Sequence, residues 1–201
     1  MNLEEIALQL RKKQVIDDAD FDHLYPNSFL KIADRHFSAV YVCQLASDFL
    51  CDQKHPKILD IGSGSGKFCL IGALGNVNYQ FTGVEYRLTL HEQAVALKNL
   101  FELSNCHFIH GNVLDLPLSE FNGFYMFNPF LEQKDKTAII PMDYAKESET
   151  DYLEYVLNAL NQLPKGIKLA TYYIDKKQIP NSFSFIKSQI GNQLHFFIKT
   201  V

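Results

Sequence analysis

Apolar residues follow two different spacings along the chain. In some segments they recur every three or four positions, as on one face of an α-helix, and in others they form short runs, as in buried β-strands. The helical spacing predicts helices over residues 3–10, 29–51, 67–75, 88–102 and 149–163. The short runs predict strands over residues 57–61, 79–84, 106–109, 123–127, 168–174, 183–190 and 193–201. Residues 17–28 contain Asp and Pro and are expected to form a loop.

The order of these elements predicts the fold class. Strands alternate with helices from residue 57 onward, which is typical of a doubly wound α/β protein with a parallel sheet. The last two strands are separated by Gly191-Asn192, a dipeptide favoured in two-residue hairpin turns. We therefore expect a doubly wound, mostly parallel seven-stranded sheet with an antiparallel C-terminal hairpin strand. Residues 1–54 are expected to form an N-terminal helical extension, and residues 55–201 the α/β domain.

Composition and charge limit the kinds of partner that the chain would bind. The 201 residues are 47% hydrophobic and 21% charged, which is ordinary for a globular domain. The formal net charge is −4, and the basic residues form no stripe beyond Arg11-Lys12-Lys13. Stable binding to nucleic acid is therefore not indicated, although a near-neutral enzyme can still act on RNA or DNA.

The cysteines and the apolar runs bear on metal sites and on location. Cys43, Cys51, Cys69 and Cys106 show neither the CxxC nor the Cys/His spacing of a metal site, so no metal is expected. Scattered thiols suit a reducing compartment better than a disulfide framework. No apolar run approaches the roughly 20 residues of a membrane span. The expected location is the cytoplasm, with no membrane partner.

A glycine-rich loop follows the first predicted strand, in the stretch ILDIGSGSGKFC at residues 58–69. A phosphate-binding P-loop would need a glycine in place of Ile61 and a hydroxyl residue in place of Phe68, so that interpretation fails. The dinucleotide fingerprint GxGxxG would need its third glycine in place of Lys67 or Cys69, which weakens a nicotinamide or flavin site without excluding it.

The pattern that does fit this loop is D-x-G-x-G-x-G, formed by Asp60, Gly62, Gly64 and Gly66. It resembles motif I of the class I S-adenosylmethionine-dependent methyltransferases. The resemblance implies that the loop backbone, with Ser63, passes close beneath the amino-acid and sulfonium part of the cofactor, and that Asp60 lies near its ammonium group. A carboxylate at the end of a strand attracts a cationic ligand and repels a pyrophosphate, which favours the methyl donor.

Two stretches further along the chain extend the resemblance. Glu85 ends the second predicted strand, where the family carries an acid that accepts both ribose hydroxyls, and Tyr86 is assigned to the same site. Nicotinamide-binding proteins carry an acid at a similar distance, so Glu85 indicates adenosine without choosing between cofactors. The stretch HGNVLDLP at residues 110–117 resembles the family's adenine-binding loop. The resemblance assigns the Asn112 side chain to the adenine amino group, which an amide oxygen can accept, and the Val113 amide to a ring nitrogen.

The stretch FYMFNPF at residues 124–130 resembles motif IV, which reads N-P-P-[YF] in members that methylate amines. In that motif the Asn oxygen orients the nucleophile, and the aromatic side chain stacks on a planar acceptor. The resemblance therefore assigns Asn128 to catalysis and to cofactor contact, and Pro129 and Phe130 to the acceptor. Phe130 stands where the second proline would be, so the acceptor stays open between a small molecule and a protein side chain.

The resemblance covers residues 55–201 and implies that residues 1–54 form a helical cap over donor and acceptor, with Tyr25 as an acceptor contact. The predicted function is an S-adenosylmethionine-dependent methyltransferase with S-adenosylhomocysteine as product and an unidentified acceptor. Methyl transfer from a sulfonium is an in-line displacement that requires alignment and exclusion of water, so no catalytic triad is needed. The alternatives are a non-catalytic S-adenosylmethionine-binding scaffold or sensor, and a nicotinamide-dependent oxidoreductase.

Overall fold

A seven-stranded mixed sheet forms the centre of the molecule in the computed structural model, which describes residues 1–30, 37–51, 57–127 and 149–201. Its strands are β1 (Lys57–Ile61), β2 (Gln80–Glu85), β3 (Cys106–His110), β4 (Gly123–Phe127), β5 (Lys168–Tyr172), β6 (Phe183–Gln189) and β7 (Leu194–Lys199). Their order across the sheet is β3-β2-β1-β4-β5-β7-β6, with β1 to β5 parallel and β7 antiparallel to both β5 and β6. The predicted fold class is confirmed, including the antiparallel C-terminal hairpin.

The strand order reverses between β1 and β4, which pair side by side although β2 and β3 lie between them in the sequence. The chain leaves β1 toward one edge of the sheet and returns to β4 on the other side. At such a switch point the connections diverge and leave a crevice at the carboxyl ends of the two strands. The carboxyl ends of β1 and β4 border this crevice.

Helices cover both faces of the sheet. Within the described ranges they are α1 (Leu3–Arg11), α2 (Asp18–Asp22), α3 (Asn27–Leu30), α4 (Val40–Leu50), α5 (Lys67–Gly75), α6 (Leu88–Leu100) and α7 (Glu149–Asn161). None of the helices in these ranges is long and apolar enough to cross a membrane. α1 begins with a capping box in which the Asn2 and Glu5 side chains each accept a hydrogen bond from the other residue's backbone amide.

Two clusters of buried apolar side chains lie on opposite faces of the sheet. The first joins α1, α4, α5 and α6 to one face, with Ile6, Leu70 and Phe81 fully buried. The second lies between α7 and the other face, with Leu59 and Leu160 fully buried. Because α1 contributes to the first cluster, the N-terminal helices and the sheet share one core.

The N-terminal region differs from its prediction. Residues 17–28 contain α2 and the start of α3 in place of the expected loop. α2 is too short for a helical period to be read from the sequence, and it is held by tertiary contacts of the fully buried Phe21 and of its carboxylates. The helix predicted over residues 29–51 is also wrong in part, because residues 37–39 are not helical and α4 begins only at Val40.

The C-terminal hairpin has a longer turn than predicted. The ladder ends at Gln189 and Leu194, and residues 190–193 form the turn in place of Gly191-Asn192 alone. Ile190, Gly191 and Asn192 have positive φ values of 53°, 57° and 66°. The Gln193 amide donates to the Gln189 carbonyl at 3.2 Å. The remaining predicted elements agree with the structure to within two residues at each end.

Gly72 allows α5 to lie close to β2, because a Cβ at this position would lie 2.3 Å from the Phe81 ring. Phe81 is fully buried and packs edge-on against Phe68, so its ring has little room to move. We expect Gly72→Ala to lower the free energy of unfolding by about 1–3 kcal/mol in urea denaturation, although alanine is the better helix former by about 1 kcal/mol. Gly111→Ala is the control, because a Cβ there would meet nothing within 4 Å. An unchanged or higher value for Gly72→Ala would contradict this packing.

Candidate active site at the glycine loop

Three glycines turn the chain from the end of β1 into α5. Gly62, Gly64 and Gly66 have φ values of 73°, 54° and 85°, a region that residues with a Cβ rarely adopt. At Gly66 a Cβ would also lie 2.6 Å from the Phe108 ring and 2.8 Å from the Ala94 Cβ, whereas at Gly64 it would meet nothing within 4 Å. The loop is therefore packed tightly at its end and presents bare backbone to open space at its middle, as a ligand cradle requires.

Asp60 lies near the carboxyl end of β1 and is buried, with 4% of its surface exposed. Burial raises the pKa of its carboxyl group well above the usual range, and the nearby negative charge of Glu85 raises this pKa further. The Cys69 thiol donates to Asp60 Oδ2 at 3.8 Å. Burial removes the water that would stabilise an ionised carboxylate. A cation bound beside the carboxylate would therefore be strongly attracted to it. The electrostatic surroundings favour a cationic ligand over an anionic one.

Glu85, at the end of β2, is buried and fixed by four donors. Its Oε2 accepts from the Gly64 amide at 2.8 Å and from Arg87 Nη2 at 3.3 Å. Its Oε1 accepts from the Arg87 amide at 2.9 Å and from Arg87 Nε at 2.8 Å. A carboxylate has about four lone-pair sites, so a ribose hydroxyl would replace the longest of these bonds, the one from Nη2. The glycine loop and the end of β2 are thus locked to each other through this side chain.

The predicted adenine-binding residues lie on the loop after β3. Asn112 Oδ1 accepts from a backbone amide two residues further on at 2.9 Å, and so caps a short 3-10 helix at Val113–Asp115. The Val113 side chain is buried, whereas Tyr86 is exposed. His110 Nε2 donates to the Tyr86 carbonyl at 2.7 Å, which joins this loop to the one after β2. The ligand roles assigned to these residues stay predictions.

A cleft opens beside the glycine loop, with an empty volume of about 300 Å³ that is partly open to solvent. It is lined by Phe37, Ser38, Asp60, Gly62, Ser63, Ser65, Lys67, Phe68, Tyr125 and Phe127. The Ser63 and Ser65 hydroxyl oxygens are buried and have no hydrogen-bond partner among the described residues. Buried polar atoms without partners are costly, and a polar ligand in the cleft would satisfy them. The residues present therefore fit the amino-acid end of the cofactor that the resemblance implies.

None of the residues assigned to the acceptor is among the described residues that line the cleft. Tyr25 is 3% exposed, and its hydroxyl donates to the Ser65 carbonyl at 3.3 Å, so it supports the glycine loop. Its predicted acceptor contact stays a prediction. Asn128, Pro129 and Phe130 lie outside the described residues, and their roles also stay predictions.

An aromatic group borders the cleft at the ends of β4 and β5. The ring centroid of Phe127, which lines the cleft, lies 5.0 Å from that of Tyr172 and 6.0 Å from that of Tyr173. Burial raises the pKa of Tyr172 to about 12, so its hydroxyl stays protonated at neutral pH. Tyr173 is half-exposed and has a φ of 56°. The group places apolar ring surface beside the cleft.

Lys67, the first residue of α5, takes part in an ion-pair triad that has no local signal in the sequence. Its Nζ lies 2.7 Å from Asp18 Oδ1 and 2.7 Å from Asp22 Oδ1, both on α2. The lysine side chain is only 4% exposed, and the two aspartates neutralise its buried charge. This arrangement agrees with the failure of the P-loop interpretation, in which the lysine would bind a phosphate.

Comparison with known sequences finds a matching family model and curated relatives. A family model described as a methyltransferase domain matches residues 52–194. A tRNA (guanine-N(7)-)-methyltransferase of Synechococcus sp. (strain JA-3-3Ab) is 45% identical over 58 residues, which are 29% of this chain and 25% of the relative. The chain thus spans about a quarter of the length of the curated relatives that it matches.

Two solved structures show the same fold as this chain. An RNA methyltransferase from Salinibacter ruber in complex with S-adenosyl-L-homocysteine has a TM-score of 0.54 and 14% identity, over 87% of this chain and 92% of that one. TrmN from Thermus thermophilus has a TM-score of 0.59 and 16% identity, over 86% of this chain and 52% of that one. At such low identity these likenesses show the fold alone, and they confirm its Rossmann-like architecture.

The burial of Asp60 predicts a trade between stability and binding. Its folded-state pKa is raised above the unfolded value, so the native state holds this proton more tightly, and stability is lost as pH rises from the unfolded pKa through the folded one. We therefore expect Asp60→Asn to raise the free energy of unfolding at neutral pH and to weaken binding of S-adenosylhomocysteine.

Urea denaturation at mildly acidic and at neutral pH measures this effect. The difference in the free energy of unfolding between the two pH values should be smaller for Asp60→Asn than for the wild type. Asp115→Asn is the control, because Asp115 is exposed. A lower unfolding free energy for Asp60→Asn than for the wild type at neutral pH would contradict the electrostatic account of this position.

Proposed function

Because the chain belongs to the family of methyltransferase domains, we propose that it binds S-adenosylmethionine in the cleft beside the glycine loop and transfers the methyl group to an acceptor. The methyltransferase class predicted from the sequence is confirmed at the level of the family. The proposed S-adenosylmethionine cofactor is supported by the S-adenosyl-L-homocysteine complex of one structure with the same fold. The acceptor, the residue roles and the division into a cap (residues 1–54) and a catalytic domain (residues 55–201) belong to the proposal. So does a cytoplasmic location, which the four buried cysteine thiols favour.

One observation carries the proposal, namely the surroundings of Asp60. The other buried charges near the cleft are paired, Glu85 with Arg87 and Lys67 with two aspartates. Asp60 has no ion-pair partner among the described residues, and it lines the same cleft as Ser63 and Ser65, whose hydroxyl groups are buried without a hydrogen-bond partner among those residues. A ligand that carries both a cationic centre and hydrogen-bonding groups would offset this cost, and an amino acid joined to a sulfonium is such a ligand.

The proposed ligand contacts are shared among three strand ends. At the end of β1, Asp60 would hold the ammonium group, and the glycine loop with Ser63 would lie beneath the amino-acid part. At the end of β2, Glu85 would accept the ribose hydroxyls. On the loop after β3, Asn112 and Val113 would hold the adenine, with Tyr86 beside it. Parallel strands bring these three ends to one edge of the sheet.

When bound, S-adenosylmethionine supplies a methyl group that is already activated by the sulfonium. The chain's own residues would then supply alignment and exclusion of water. The Tyr125 ring stacks on the Phe68 ring with their centroids 4.0 Å apart, which gives the cleft an aromatic surface. The Tyr125 hydroxyl lies 2.6 Å from Ser38 Oγ, so these two polar groups are hydrogen-bonded to each other. Asn128 is proposed to orient the acceptor, with Pro129 and Phe130 packing on it.

We propose that the acceptor is a small molecule or a protein side chain. The net charge of −4 does not favour a long nucleic-acid partner. The names of two of the matched relatives refer to tRNA, so RNA is included as a third class in the test. The aromatic group of Phe127, Tyr172 and Tyr173 supports an acceptor with a planar portion.

Methyl-labelled S-adenosylmethionine, incubated with separate small-molecule, protein and RNA fractions of a cell extract, tests the proposal. We expect enzyme-dependent label in the small-molecule or the protein fraction. Asn128→Ala should slow this transfer at least tenfold and leave the calorimetric affinity for S-adenosylhomocysteine nearly unchanged, because its proposed role is to orient the acceptor. Ligand binding without label in any fraction would contradict the enzymatic proposal and favour a non-catalytic scaffold.

If Glu85 holds the ribose, its replacement should lower the affinity for S-adenosylhomocysteine, whereas replacement of an exposed acid on α6 should not. Glu85→Ala removes the acceptor for the hydroxyls and releases both the Gly64 amide and Arg87. We expect S-adenosylhomocysteine binding to weaken by about 1–3 kcal/mol in calorimetry. Glu92→Ala, at an exposed position of α6, is the control and should bind like the wild type. Equal affinity of Glu85→Ala and the wild type would exclude the ribose role.

A further inference from the structure

One carboxylate oxygen on α2 connects the two walls of the cleft. Asp18 Oδ1 accepts from Lys67 Nζ at 2.7 Å and from the Val40 amide at 2.7 Å. Lys67 follows the glycine loop directly, and Val40 begins α4 just after Phe37 and Ser38. The glycine loop lines one wall of the cleft, and Phe37 and Ser38 line a second wall. The Asp18 side chain therefore links the start of α5 to the start of α4.

The lysine in this arrangement occupies an unfavourable place. A helix N-terminus carries partial positive charge, so an ammonium group in the first turn of α5 is destabilised, and burial adds a desolvation cost. Asp18 and Asp22 offset both effects from one side, and the Phe21 and Phe37 rings lie 5.8 Å from Nζ. Both carboxylates that pair with Lys67 among the described residues lie on α2, so these ion pairs require α2 to stay docked against the start of α5.

A second link joins the same three parts of the chain. The Tyr25 hydroxyl donates to the Ser65 carbonyl of the glycine loop, and the centroid of the Tyr25 ring lies 4.8 Å from that of Phe37 in the second wall. Phe21 of α2 contacts the Tyr25 ring at 6.1 Å. The segment from Asp18 to Tyr25 therefore contacts both walls of the cleft at two separate points.

We propose that Asp18 and Lys67 are positioning residues, which fix the glycine loop and the Phe37–Ser38 wall at the separation that the cofactor requires. This inference rests on the proposed function. Asp18 acts through Lys67 and Val40 and contacts no ligand itself. Docking of α2 and binding of the cofactor are coupled, and each stabilises the other by the same free energy.

The test compares three variants of the full chain by calorimetric titration with S-adenosylhomocysteine at a temperature where each is folded. Asp18→Ala removes both hydrogen bonds and one charge, and we expect its Kd to rise at least tenfold. Asp18→Asn keeps an acceptor for Val40 and loses the charge, and its Kd should rise at least threefold but less than that of Asp18→Ala. Asp48→Ala is the matched control, because Asp48 pairs with Lys13 at 2.6 Å near the other end of α5.

A purely structural role would lower the melting temperature without changing the Kd of the folded protein. A Kd for Asp18→Ala within twofold of the wild type would overturn the inference, as would an equal rise for Asp48→Ala. If Asp18→Ala does not fold, Asp18→Asn decides: a rise of threefold or more supports the coupling, and a smaller change overturns it.

If the wild type does not bind S-adenosylhomocysteine, the proposed function fails, and hydrogen exchange of the ligand-free protein tests the inference separately. Amides in the glycine loop and at the start of α4 should then exchange at least tenfold faster in Asp18→Asn than in Asp48→Ala. A smaller difference between the two variants would overturn the coupling.

Discussion

The cleft depends on how closely the glycine loop lies against the sheet. A Cβ at Gly66 would overlap the Phe108 ring, and a Cβ at Gly83 of β2 would lie 2.6 Å from Ser63 Oγ. The absence of both side chains allows the loop to rest directly on the ends of β2 and β3. This contact brings the Gly64 amide to the Glu85 carboxylate at 2.8 Å, and the loop is thereby fixed relative to the neighbouring strand.

Charge is distributed around the loop in a way that suits one kind of ligand. Arg87 neutralises Glu85, and two aspartates of α2 neutralise Lys67. Asp60 is also buried, and the raised pKa of its carboxyl group reflects that burial and the charge of Glu85. The fold tolerates this carboxyl group at a cost to its own stability, which is typical of a residue retained for binding. A cationic ligand would offset the cost, and an anionic phosphate would increase it.

The sheet and the loop were predictable because their signals are local. Each strand is a short apolar run. The turn after β1 requires positive φ values at three positions, and the sequence carries a glycine at each of them, at a fixed spacing from Asp60. The family assignment, which rested on these motifs and on those after β2, β3 and β4, is confirmed. The Lys67–Asp18 pair was not predictable, because its partners are 49 positions apart and α2 is stabilised by that contact and not by its own periodicity. The hairpin turn was predicted too short, since a favoured dipeptide does not determine where the ladder ends.

A calorimetric titration of the wild-type protein with S-adenosylhomocysteine and with NAD distinguishes a cleft that binds an adenosyl amino acid from one that binds a dinucleotide. The buried Asp60 and the glycine spacing predict binding of S-adenosylhomocysteine and no measurable binding of NAD, whose pyrophosphate the carboxylate would repel. Binding of NAD without binding of S-adenosylhomocysteine would instead identify the cleft as a dinucleotide site.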